Sequence, residues 1–144
     1  MFISEKNNKN VLRSLLIYLG ISAFVAAFGA VYEHFGHGVV SLAMYLAFLY
    51  PLCLGALPYF ILLFLPNKIS PSFLTQNVYN AGVAMLTTGS IYRGVVEIYG
   101  TPREEMCLAY VIIGVSLIAV SVALFVVGLF IKRPDKLNKN NIAE

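Results

Sequence analysis

Four runs of apolar residues set the pattern of this chain, at about residues 14–32, 41–65, 78–99 and 106–131. Each is near or above the ~20 residues that an α-helix needs to cross about 30 Å of hydrocarbon. Polar stretches separate them, and polar tails flank them at residues 1–13 and 132–144. The pattern predicts an all-α polytopic membrane protein, a four-helix bundle over residues 14–131 between two tails. An even number of spans puts both termini on one side.

The runs differ in ways that bear on packing. The first has a basic head like a signal peptide, but it is long for one, and Phe28-Gly29-Ala30 lacks the small residue a cleavage site needs. It reads as an uncleaved helix, with Ala23, Ala26, Ala27 and Ala30 offering small faces. The second contains Pro51 and Pro58, each of which removes a backbone donor and predicts a kink. Residues 66–72, with two prolines and two serines, read as a connector. The third is the most polar. Its Gly82, Leu86, Gly89, Arg93 and Glu97 fall within an arc of about 80° on a helix, an arc expected to face protein. In the fourth, Gly114, Ser121 and Gly128 recur every seven residues, as in a small-residue seam between crossing helices.

Composition agrees with a lipid environment. Of 144 residues, 59% are hydrophobic and 12% charged, more apolar surface than a soluble domain of this size can hide. The net charge of +3 is not a nucleic-acid footprint, because the cations sit in short segments beside apolar runs. Lys6, Lys9, Arg13, Lys68, Lys132, Arg133, Lys136 and Lys139 fall on the side of the termini, against Arg93 and Arg103 on the other. That excess makes the termini cytoplasmic and predicts a multi-pass protein of a cell membrane. Cys53 and Cys107 form no metal-type motif, and their depths in different spans argue against a disulfide. Most of the nine tyrosines read as interfacial belt or packing residues.

The candidate chemistry gathers at the outer ends of the spans. Glu33, His34 and His37 close the first run, and Arg93 and Glu97 lie four apart near the end of the third. His34 and His37, with Glu33, are candidate ligands for a divalent metal, with Glu97, Glu104 or Cys107 adding a further donor. Both histidines share one helix face, so a haem would need Met44, Met106 or a second subunit on its other side. Hydrogen-bonded interfacial histidines, or a proton-linked switch, fit the same residues. Arg93 and Glu97 read as an ion pair facing the bundle, since charge within a membrane is costly. Arg93 precedes Glu97, the weaker orientation on a helix, which also makes Glu33 a candidate partner for Arg93. No phosphate loop, nucleophile elbow or paired-acid motif is present, and the cytoplasmic segments are too short for a catalytic domain. An enzyme is not expected.

The segments Val31-Tyr32-Glu33-His34-Phe35-Gly36 and Val95-Val96-Glu97-Ile98-Tyr99-Gly100 agree in Val, Glu, aromatic and Gly. A duplicated hairpin would put Glu33 and Glu97 at one depth; an aromatic followed by a glycine cap at each helix end accounts for the rest of the match. The strings Tyr32-Glu33-His34-Phe35-x-His37-Gly38-Val39, Gly55-Ala56-Leu57-Pro58 and Gly94-x-x-Glu97-Ile98-Tyr99-Gly100-Thr101 resemble a family of uncharacterised small four-span bacterial integral membrane proteins, mostly Gram-positive. The resemblance implies a bacterial cell membrane and no chemistry. Small multidrug exporters share only the helix count, because no acid precedes Glu33 in the first run.

Three functions fit these features. One is capture of an ion, metal or small ligand by the cluster Glu33, His34, His37, Arg93 and Glu97. The second is a structural or partner-binding membrane subunit, as a homodimer or with another membrane protein. The third is a dimeric transporter or proton-coupled permease. Convergence of the cluster on a cavity would favour the first and side chains fanned toward water the second. A polar path from Arg93 to Asn80 would favour the third.

Overall fold

A computed structural model describes residues 2–36, 40–64, 71–100 and 104–131. Among them there are helices and turns and no strand. Helix α1 spans Phe2–Phe35. The second run is interrupted: α2 spans Leu42–Tyr45, a π-helix spans Tyr50–Ala56, and α3 spans Leu57–Phe64. Helices α4, Phe73–Tyr99, and α5, Glu104–Ile131, complete the order. Three segments are long and apolar enough to cross a membrane: Lys9–Phe35, Leu42–Phe64 and Glu105–Gly128. Helix α4 is long enough at 27 residues, but it is the polar one.

Helix α1 runs back through the polar residues expected as a tail, because extending a formed helix adds a hydrogen bond per residue fixed. Ser72 starts α4, its Oγ accepting from the Thr75 amide at 3.2 Å. Gly100 ends it in the left-handed conformation, φ +71°, where glycine alone is unstrained.

The helices pack as two hairpins. Helix α1 lies against the π-helix and α3, and α4 lies against α5 in the most extensive interface. The hairpins meet where α2 and the π-helix contact α4. Between α4 and α5 the backbones come close: a methyl on Gly82 would lie 3.0 Å from the Gly114 carbonyl oxygen. Ser121 Oγ donates to the Thr75 carbonyl at 2.9 Å. The seven-residue seam thus runs through Gly114 and Ser121 and stops there, because a methyl on Gly128 would meet no other described element within 4 Å. Similarly, Gly82, Leu86 and Gly89 of the expected arc are buried, whereas Arg93 and Glu97 are exposed. Outward surfaces of α1, α3 and α5 carry long apolar side chains such as Phe24, Val31, Phe60, Phe64, Ile112 and Val122.

The interruption in the second run has a local cause. Proline has no N–H to give to the carbonyl four residues back. For Pro51 that carbonyl belongs to Ala47, which takes the Tyr50 amide instead at 3.3 Å. For Pro58 it belongs to Leu54, which takes the Tyr79 hydroxyl of α4 at 2.6 Å. The expected kinks are therefore a turn at residues 46–48 and a wide π-helical stretch. Other side chains fasten the same segment. Ser90 Oγ of α4 donates to the Ala43 carbonyl at 2.7 Å, and Ser22 Oγ of α1 donates to the Phe48 carbonyl at 3.0 Å.

Candidate functional site

Ser41 organises the end of the molecule that holds Glu33 and Glu97. Its Oγ accepts from the Met44 amide at 3.3 Å, capping α2, and donates to Glu97 Oε2 at 2.6 Å. The other oxygen, Glu97 Oε1, accepts from Arg93 Nε at 2.8 Å. One carboxylate thus ties the start of the second run to the end of α4. The Arg93 side chain remains 64% exposed and that of Glu97 37%. An exposed pair at i, i+4 contributes only about 0.3–0.5 kcal/mol. The buried serine, rather than the arginine, makes the tie specific. Beneath it, Met44 is wholly buried between α1 and α4, where a methyl on Gly94 would lie 2.5 Å from Met44 Cβ.

Glu33 does not join this pair. Among the described residues Arg93 and Glu33 form no ion pair, and Glu33 Oε1 is buried with no hydrogen-bond partner. Its carbonyl caps the helix end, accepting from the Gly36 amide at 3.0 Å. Glu97 does the same with Gly100 at 3.3 Å. The two matching sequence segments therefore share a helix ending. Their hairpins diverge beyond that, since the second run is broken and α5 is continuous.

His34 is exposed and packs its ring edge-on against Phe35, centroids 5.5 Å apart. His37 and Arg103 lie outside the described residues. Among those described, no three of His, Cys, Asp and Glu come together as a metal site. Met44 is closed in by Gly29 and Gly94 and cannot face a haem, while Met106 Sδ accepts from the Tyr92 hydroxyl at 3.5 Å. Both cysteines are free; Cys53 is exposed on the outside of the helices, not packed within them.

A second polar group, absent from the residue list that the sequence suggested, lies toward the other end. Asn80 Oδ1 accepts from Tyr18 at 2.8 Å and from Tyr59 at 3.1 Å. The two rings stack 5.7 Å apart, and Tyr18 lies against Gly55, where a side chain would collide with it. These tyrosines are core residues, joined with Leu15, Ala56 and Val83. The signal was available: Tyr18, Tyr59 and Asn80 all fall within about six residues of the inner ends of their runs. Among the described residues no hydrogen bond joins this group to the one at Ser41 and Glu97. Thr87, between them on α4, turns its hydroxyl back to the Val83 carbonyl at 2.8 Å, and Val83 is buried below it.

The sequence matches no family model, no curated protein and no solved structure.

Proposed function

We propose that this chain crosses a cell membrane four times, with both termini cytoplasmic, and acts as a partner-binding membrane subunit. One observation carries the functional part. Five interior hydroxyls are taken up in fastening helices to one another: Ser22, Ser41, Tyr79, Ser90 and Ser121 each donate across a helix boundary. None of them is left to line a route for a solute. Val83 is buried between Asn80 and Thr87 on α4, which weighs against a permease. At the outer face Arg93 and Glu97 fan outward, which weighs against a closed ligand pocket. Native mass spectrometry from membranes tests the proposal. A discrete complex larger than 15.8 kDa is expected; a monodisperse monomer overturns it.

Ion or small-ligand capture at the outer face is the second reading, and the unpartnered Glu33 Oε1 favours it. It requires that Glu33→Gln remove any stabilisation by added cation.

A further inference from the structure

Arg93 lies over an opening between two helices. Consecutive residues of an α-helix are about 100° apart, so Tyr92 and Gly94 flank Arg93 on its two sides. Tyr92 faces α5: its ring lies 5.7 Å from that of Tyr110, and its hydroxyl donates to Met106 Sδ at 3.5 Å. Gly94 faces α2, where it meets Met44. Arg93 is therefore directed between α5 and α2. Glu97 follows it on the same arc, with Oε2 held by Ser41 on the α2 side. Further along α4 this arc is covered. Gly89, one turn before Arg93, is buried against Tyr110, and Gly82 and Leu86 are buried against Gly114. At Arg93 the cover ends, and its side chain is 64% exposed. The result is a cleft one turn, about 5 Å, deep, closed at its floor and holding one cation and one anion.

The charges and the flanks indicate the occupant. Arg93 and Glu97 sum to zero, so a lone phosphate would be repelled by Glu97 and a metal ion by Arg93. A zwitterion satisfies both. The guanidinium recognises phosphate through its fork of N–H donors. Each Glu97 oxygen accepts one bond from the chain and has a second lone pair for an ammonium group. The elements beside the cleft carry exposed apolar side chains, Leu42 and Leu46 on the second run and Leu108 and Val111 on α5. Such flanks suit acyl chains and give a water-soluble zwitterion nothing. In the membrane orientation proposed above, the cleft opens at the level of the outer-leaflet headgroups.

We propose that this cleft binds the headgroup of a zwitterionic amine phospholipid, with the phosphate on Arg93 and the ammonium on Glu97. The proposal rests on the membrane part of the reading above and not on its partner part. The detergent-solubilised chain is titrated with equal amounts of phosphatidylethanolamine and phosphatidylglycerol, and native mass spectrometry counts each lipid bound. The same spectra report the number of subunits, so a monomer that retains the lipid overturns partner binding and leaves this site standing. Wild type is expected to retain phosphatidylethanolamine about tenfold over phosphatidylglycerol, the effect of one hydrogen bond between charged groups. Glu97→Gln should abolish the preference, and Arg93→Gln should lose both lipids. Lys9→Gln, which removes a cation near the other end of the molecule, should change neither. Equal retention of the two lipids by wild type overturns the proposal, and that result needs no variant to fold. The same loss in Lys9→Gln as in Arg93→Gln also overturns it, since lipid would then follow charge at any position. Binding of O-phosphoethanolamine as tight as that of the lipid would assign the cleft to a soluble zwitterion and overturn the phospholipid.

Discussion

Glu33 and Glu97 show how two glutamates in similar sequence settings come to different ends. Glu97 has both carboxylate oxygens engaged, one by Ser41 and one by Arg93. Glu33 has a buried oxygen with no donor among the described residues. A buried acceptor without a donor costs about 1–3 kcal/mol, which a bound cation or a donor-bearing ligand would offset. If outer-face capture occurs, Glu33→Gln changes it and Glu97→Gln does not. Thermal unfolding with and without millimolar zinc measures this: wild type and Glu97→Gln should gain stability with the ion and Glu33→Gln should gain none. Equal gains in all three remove Glu33 as a ligand. At this scale the sequence was partly legible. The pairing of Arg93 with Glu97 follows from spacing alone, whereas the Ser41 contact joins residues 56 apart and nothing local announces it.

The interrupted second run is the element that makes the packing particular. The two prolines announce an interruption, but not its form, since a proline can be absorbed by a kink, a turn or a wider helix. Which one results depends on donors from neighbouring helices, and these lie far away in sequence, at Ser22, Tyr79 and Ser90. A double-mutant cycle isolates one of these compensations. In the natural chain Tyr79→Phe deprives the Leu54 carbonyl of its donor and should cost about 0.5–1.5 kcal/mol. With Pro58→Ala, residue 58 regains an N–H that can serve Leu54, so Tyr79→Phe should then cost less. Unfolding in mixed detergent micelles gives both values. Equal costs in the two backgrounds would show that Tyr79 does not substitute for the missing amide.

Considered as a whole, the molecule is an open row of helices, with α5 resting on α4 at one edge and α1 on the second run at the other. Apolar runs of the right length were enough to foresee the helices, because length and composition alone decide what suits lipid. Their lateral order was not legible, because it is set by glycine contacts such as Gly82 with Gly114 and by hydroxyls reaching across. The proposed orientation rests on the eight cations beside the termini against two on the proposed other side. Reporter fusions check it. A reporter active only in the cytoplasm should work at both ends, and one active only after export should work when inserted after Gly100. Opposite behaviour at the two ends would mean an odd number of spans, with α4 lying outside the membrane.

The division into two hairpins has a consequence for the order of events during synthesis. Contacts within each hairpin join neighbouring segments, so closing them costs little chain entropy. If the four runs span the membrane as proposed, each pair can settle as soon as its second helix enters the bilayer, following the general course in which spans insert first and associate afterwards. The knot of Tyr18, Tyr59 and Asn80 and the tie from Ser41 to Glu97 both bridge the first hairpin to α4. They must wait for α4. The last joints to close are then the polar ones, and until they do the first hairpin carries Ser41, Tyr18 and Tyr59 without their α4 partners, a stage at which a membrane chaperone would find most to hold.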